Sequence, residues 1–105
     1  ALDEAGFRAR YGHTAVARSR RRGLLRNVCV ALGNWASPQA LPALASAVQD
    51  AEPLIRGHAA WALGRLADAG GRSASKAQSV LDGAWRRESE PEVREELRSA
   101  LAGVG

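Results

Sequence analysis

One set of apolar residues recurs three times along this chain at the spacing of a helix face. Ile55, Ala59, Ala62, Leu63 and Leu66 stand at i, i+4, i+7, i+8 and i+11, which lines one side of an α-helix. The same positions hold Val93, Leu97, Ala100, Leu101 and Val104 at an offset of 38, and Leu24, Val28, Ala31, Leu32 and Trp35 at an offset of 31 in the other direction. A second stripe, Leu41, Leu44, Ala45 and Val48, is repeated 36 residues later as Ala77, Val80, Leu81 and Ala84. Two helix types therefore alternate. The pattern predicts A-helices over about 22–35, 53–68 and 91–103 and B-helices over about 38–49 and 74–87.

The punctuation between the stripes agrees with that order. Ser37-Pro38 places an N-cap before a proline at the first helical position, where its missing N–H costs nothing. Asp50 to Pro53 and Glu88 to Pro91 reset the chain before each following A-helix, and Gly70-Gly71 closes the second one. Ala31-Leu32-Gly33 and Ala62-Leu63-Gly64 put small residues at matching places, so that neighbouring helices can approach closely. Helix pairs of this length with this motif predict an all-α fold, a HEAT/armadillo-like stack of antiparallel helix pairs forming an α-α superhelix. The breaks at Gly and Pro exclude a sustained coiled coil. Residues 1–21 are expected to form an N-terminal helical arm or cap with a basic segment, anchored by Phe7 and Tyr11, and residues 22–105 the HEAT-like repeats.

Composition narrows the chemistry. Alanine is abundant and aromatic residues make up 5%, a bias towards closely packed helices. The single cysteine, Cys29, excludes an internal disulfide and any all-thiolate metal centre built from this chain alone. Within Val28-Cys29-Val30 it reads as a small buried hydrophobe. His13 has no metal-ligand partner at useful spacing, so no metal site is expected. No Ser-His-Asp set, phosphate-cradling glycine loop or paired catalytic acids can be found, and no catalytic residue is expected. The apolar runs are too short for a membrane span and no signal peptide is discernible, which predicts a cytoplasmic protein without a membrane partner. The start at Ala1, with no methionine anywhere, suggests a piece of something longer.

Charge is concentrated at one end. Residues 1–35 carry seven arginines against Asp3 and Glu4, a balance of +5, whereas residues 36–105 balance at −1. Arg18, Arg22 and Arg26 repeat at i, i+4 and i+8 and share one helix face next to Arg21, although the whole run, Arg20 included, cannot point in one direction on a helical path. Arginine forks suit bidentate phosphate contact, so Arg18, Arg20, Arg21, Arg22 and Arg26 form a candidate RNA-phosphate-binding set; the other reading is a solvated basic face. Arg56 and Arg94 occupy one repeat position. Arg94 is expected to bridge to an acid of a neighbouring unit such as Asp50 or Glu88, while Arg56, nearer the basic end, joins the phosphate-binding set. Asn27, in mid-helix, and His58 are candidates for further RNA contacts, and His58 can equally close an internal hydrogen bond. Asn34, after Gly33, reads as a helix C-cap. Trp35, Trp61 and Trp85 read as packing residues, any of which could stack on a base if exposed.

Arg21-Arg22-Gly23-Leu24-Leu25-Arg26-Asn27, then Ala31-Leu32-Gly33-Asn34, then Arg56 with His58-Ala59-Ala60-Trp61-Ala62-Leu63-Gly64 resemble the C-terminal part of the epoxyqueuosine reductases. Phe7-Arg8 and Thr14-Ala15 fit the segment that precedes this block in that family. The resemblance is strongest over 7–66 and weak after 70. It implies a parent oxidoreductase of queuosine tRNA modification that uses cobalamin and two [4Fe-4S] clusters, with a HEAT-like C-terminal region that helps to hold the tRNA anticodon stem-loop. The clustered cysteine motif of the cluster-binding region is missing here, so this chain alone is no reductase. On this reading its partners are tRNA and the N-terminal catalytic domain of the same parent chain. The alternative is a HEAT-repeat scaffold for protein–protein interaction.

Overall fold

The structure is a computed structural model that describes residues 15–102, with side chains from Arg20 onward. The expected cap through Phe7 and Tyr11 lies outside the described residues. Helix α1 spans Ala15–Trp35, followed by a 3-10 turn Pro38–Ala40 and α2 Leu41–Ala47; α3 spans Pro53–Asp68, α4 Arg72–Arg87 and α5 Pro91–Ala102. The described residues are otherwise loops and turns, in the all-α architecture the repeats imply. Helices α1, α3 and α5 are the A-type, and α2 and α4 the B-type. α1 begins seven residues before the expected Arg22, so part of the expected arm is the first A-helix itself.

Local chemistry explains the irregular start of the first B-helix. The Ser37 side chain accepts from the Gln39 N–H at 3.3 Å. Pro42 has no N–H to offer the Pro38 carbonyl, and its ring would crowd that carbonyl in a regular α-helix. The Leu41 N–H satisfies it instead, closing the 3-10 turn.

The core lies where the two layers meet and where the A-helices meet each other. Leu44 of α2 and Val48 just after it, Ala77, Leu81 and Ala84 of α4, and Val93 and Leu97 of α5 are buried around α3. α3 buries the whole of its stripe, Ile55, Ala59, Ala62, Leu63 and Leu66, because it is flanked by α1 on one side and α5 on the other. The two Ala-Leu-Gly glycines sit at these crossings. A Cβ on Gly33 would fall 2.5 Å from Cζ3 of Trp61 and 3.0 Å from the Ala62 Cβ; one on Gly64 would fall 2.9 Å from the Ala100 Cβ and 3.2 Å from its Cα.

In α1 the expected stripe does not face the core. Leu24, Val28 and Trp35 are 60%, 43% and 56% exposed, and Ala31 is exposed too. Cys29 and Gly33 are buried in their place, and Leu32 is half-buried. The repeat explains this. Ala62 faces α1, so its counterpart Ala31 faces away from α3, towards the position that a preceding A-helix would fill. Among the described residues α1 has an A-type neighbour on one side only. Trp35 is thus not a core residue, whereas Trp61 and Trp85 are half-buried packing residues. Burial raises the Cys29 thiol pKa, with a smaller push from the Asp50 charge, in keeping with a small protonated hydrophobe.

The end of α1 also differs from expectation. The helix runs on through Asn34 to Trp35, and the left-handed residue that ends it is Ala36, at φ 50°, whose N–H bonds the Leu32 carbonyl at 3.0 Å. A Cβ in that conformation is strained. Ala36→Gly should therefore stabilise the protein by about 0.5–1 kcal/mol, the relief exceeding the entropy that glycine adds to the unfolded chain. A higher urea midpoint with an unchanged slope is the expected readout.

Candidate nucleic-acid interface

The arginines of the expected phosphate-binding set fall into two groups. Arg21 is turned inward: its Nη1 and Nη2 donate to Asp50 Oδ1 and Oδ2 at 3.2 and 2.7 Å. Arg56 makes the matching contact one unit on, Nε and Nη2 donating to Glu88 Oε1 and Oε2 at 2.7 and 3.0 Å. Its Nη1 also donates to the backbone carbonyls of Asp50 and Ala51, at 2.8 and 3.1 Å. The two acids occupy the same loop position, 38 residues apart. Each braces its own loop: Asp50 Oδ1 accepts from the Glu52 N–H and Glu88 Oε2 from the Glu90 N–H.

These contacts form an internal ladder from unit to unit: arginine to loop carboxylate, loop to helix, arginine to the next carboxylate. Arg94 closes it differently from expectation. Its Nη1 donates to the Glu88 and Trp85 carbonyls at 2.8 and 3.2 Å, and its guanidinium lies 3.8 Å over the Trp85 ring. The carboxylate bridge expected of Arg94 belongs to Arg56. Arg21 and Arg56 therefore leave the phosphate-facing set, because bidentate pairing to largely buried carboxylates uses the fork that a phosphate would need.

The hydrogen bond from Arg21 holds the Asp50 carboxyl below the ordinary aspartate pKa, against the opposing effect of burial. Arg56 does the same for Glu88, and that contact in turn raises the Arg56 pKa. A carboxyl depressed on folding contributes fully above its unfolded value, about 4, and the contribution is lost as pH falls through the folded value. Stability should thus decline on acidification below about pH 5, whereas the double variant Asp50→Asn/Glu88→Gln, less stable at neutral pH, should show a flatter profile over the acid range. Chemical denaturation across that range checks it. Parallel profiles would contradict the ladder.

The second group is more exposed. Arg20 and Arg26 are exposed, and Arg22 is half-exposed with its Nε 3.8 Å from Glu52 Oε2, a loose pair. Arg26 Nη2 reaches the exposed Asn27 amide oxygen at 3.4 Å. The backbone of Arg18 lies in α1, one turn before Arg22; its side chain is outside the described residues. His58 is remote from this group in role. Its Nδ1 lies 2.9 Å from the Leu54 carbonyl, one turn back in its own helix. Arg22 and Arg26 stand one turn apart on the side of α1 that also carries Cys29 and Gly33, whereas Arg20 lies on the other side of the helix and Asn27 about 100° round from Arg26; Arg21 and Arg56 are held by Asp50 and Glu88.

Sequence reading missed the ladder acids as a matched pair. The signal was present: Asp50 and Glu88 are 38 residues apart, the same offset that relates Arg56 to Arg94. The described residues offer no group of three or more His, Cys, Asp or Glu able to hold a metal ion. Cys29, buried and single, does not fit a four-cysteine cluster. No helix among the described residues is long and apolar enough to cross a membrane.

A family model described as HEAT repeats matches residues 14–102. The chain is 35% identical over 87% of its length to a protein of Geobacillus stearothermophilus described as an uncharacterized protein in the gldA 3′ region, covering 40% of that protein. It is also 28% identical over 96% of its length to the epoxyqueuosine reductase of Bacillus subtilis, and 32% identical over 95% to that of Bacillus anthracis, covering 25% of each. The chain therefore spans a quarter to two-fifths of the length of these curated relatives. No solved structure gives a significant match.

Proposed function

This chain belongs to the HEAT-repeat family, and we propose that it serves as the accessory RNA-binding domain of an epoxyqueuosine reductase, holding a tRNA anticodon stem-loop for a catalytic domain elsewhere in the parent protein. The observation that carries this reading is similarity along nearly the whole chain to one quarter of such reductases, joined to the exposed Arg20 and Arg26 and the half-exposed Arg22 on α1. Arg20, Arg22 and Arg26, with Arg18 one turn before Arg22, would neutralise backbone phosphates, and Asn27 would lie beside them. Contacts to phosphate position an RNA without reading its sequence, so selection of the modified base would fall to the catalytic domain. Any iron–sulfur clusters and cobalamin would be held there as well, since this chain lacks the cysteines. An RNA substrate of this kind places the parent in the cytoplasm.

The division of the arginines sharpens the test. Binding of an anticodon stem-loop RNA should weaken steeply with salt, each phosphate contact contributing about 0.7–0.9 to the logarithmic slope. The triple variant Arg20→Ala/Arg22→Ala/Arg26→Ala should bind at least about tenfold more weakly at low salt, with a slope smaller by about 2. Arg21→Ala should instead lower the melting temperature. Unchanged affinity in the triple variant would remove the proposal.

A further inference from the structure

One cleft carries chemistry that RNA binding does not use. A cleft of about 440 Å³ opens between the three A-helices, lined by Val30 of α1, by Leu54, His58 and Trp61 of α3, and by Glu92 and Glu96 of α5 among others. Its volume lies in the range of ligand sites, about 300–1,000 Å³. Most of the lining is apolar. The charge is all on one wall, where Glu92 and Glu96 stand one helical turn apart. Neither makes an ion pair with a described residue, whereas the nearby Glu88 and Glu95 are taken by Arg56 and Arg98. His58 adds a polar edge: a carbonyl only accepts, so Nδ1 carries the hydrogen bonded to Leu54.

We infer that this cleft binds a basic peptide segment of a partner protein, seating the aliphatic stem of an arginine or lysine on Leu54 and Trp61 with its charged end at Glu92 and Glu96. A long cationic side chain has this division into apolar stem and charged head, and the acceptors on the acid wall match only the head. Phosphate is repelled by the same wall, so the site differs in charge from Arg26 and Arg22, one and two turns before Val30 on α1. The inference stands independently of the RNA reading.

The test uses the 105-residue chain and two tripeptides, acetyl-Ala-Arg-Ala-amide and its citrulline counterpart, which keeps the shape but removes the charge. The Trp61 indole N–H signal, assigned with Trp61→Phe, should shift saturably with the arginine peptide and about five- to tenfold more weakly with citrulline. Glu92→Gln/Glu96→Gln should erase that difference while melting like wild type, since both glutamates are solvent-accessible. Equal response to the two peptides, a response at Trp35 rather than Trp61, or an undiminished preference in the double variant would each overturn the inference. So would displacement of the arginine peptide from Trp61 by an anticodon stem-loop RNA, which would make the cleft an RNA site.

Discussion

Gly64→Leu should destabilise the protein by about 3 kcal/mol, while Gly23→Ala, in the same fold and of the same helix type, should stabilise it by up to about 1 kcal/mol. The two glycines differ in what a side chain would meet. At Gly23 there is nothing within 4 Å of an added Cβ, so the better helix former gains without opposition. At Gly64 the Cβ itself would lie 2.9 Å from the Ala100 Cβ and 3.2 Å from the Ala100 backbone. Only a shift of α5 as a whole can relieve that, and α5 is held by the fully buried Val93 and Leu97. For a domain near 100 residues a loss of this size lowers the melting temperature by roughly 12–24 °C. A drop of less than about 5 °C would mean that α5 is not docked on α3 as described.

Glu88→Ala should cost about 2–3 kcal/mol, more than an ordinary surface ion pair is worth. The Glu88 side chain is 6% exposed and that of Arg56 17%, so removing the carboxylate leaves a largely buried guanidinium without its anion. It also removes the brace on the Glu90 N–H in the turn before α5. Arg56→Met alone should be costly too, because the carbonyls of Asp50 and Ala51 lose their donor. A double-mutant cycle on the two positions, read by urea denaturation, should give a coupling above about 1 kcal/mol. Additive losses would mean that the two side chains do not share a bond.

The helix order, the span Pro53–Asp68 and the start of α5 at Pro91 were all legible in the sequence, because each depends on a local signal: a period of 3.6, a proline at the first turn, a glycine pair after the last. The small residues at Gly33 and Gly64 were legible for a similar reason. They repeat with the stripe, and a repeat whose helices must touch needs them at that place. The basic group was half legible. Its i, i+4 spacing put Arg22 and Arg26 on one side of the helix, but clustering in the sequence could not separate them from Arg21. A shift of one residue turns a helical side chain by about 100°, and that rotation moves Arg21 from solvent to Asp50.

The repeated apolar stripe with which the sequence is written three times therefore determined the fold class, the alternation of helix types and most of their boundaries. It did not determine which copy is covered. Ile55 to Leu66 and Leu24 to Trp35 carry the same pattern, yet the first is buried and the second largely exposed. Burial depends on what stands on both sides of a helix, and only α3 has an A-helix on each side among the described residues. The same non-local condition decided that Arg56 would meet Glu88, 32 residues away, and that His58, Glu92 and Glu96 would share a cleft. A helix's periodicity sets which residues share a face; the packing of its neighbours decides what that face meets.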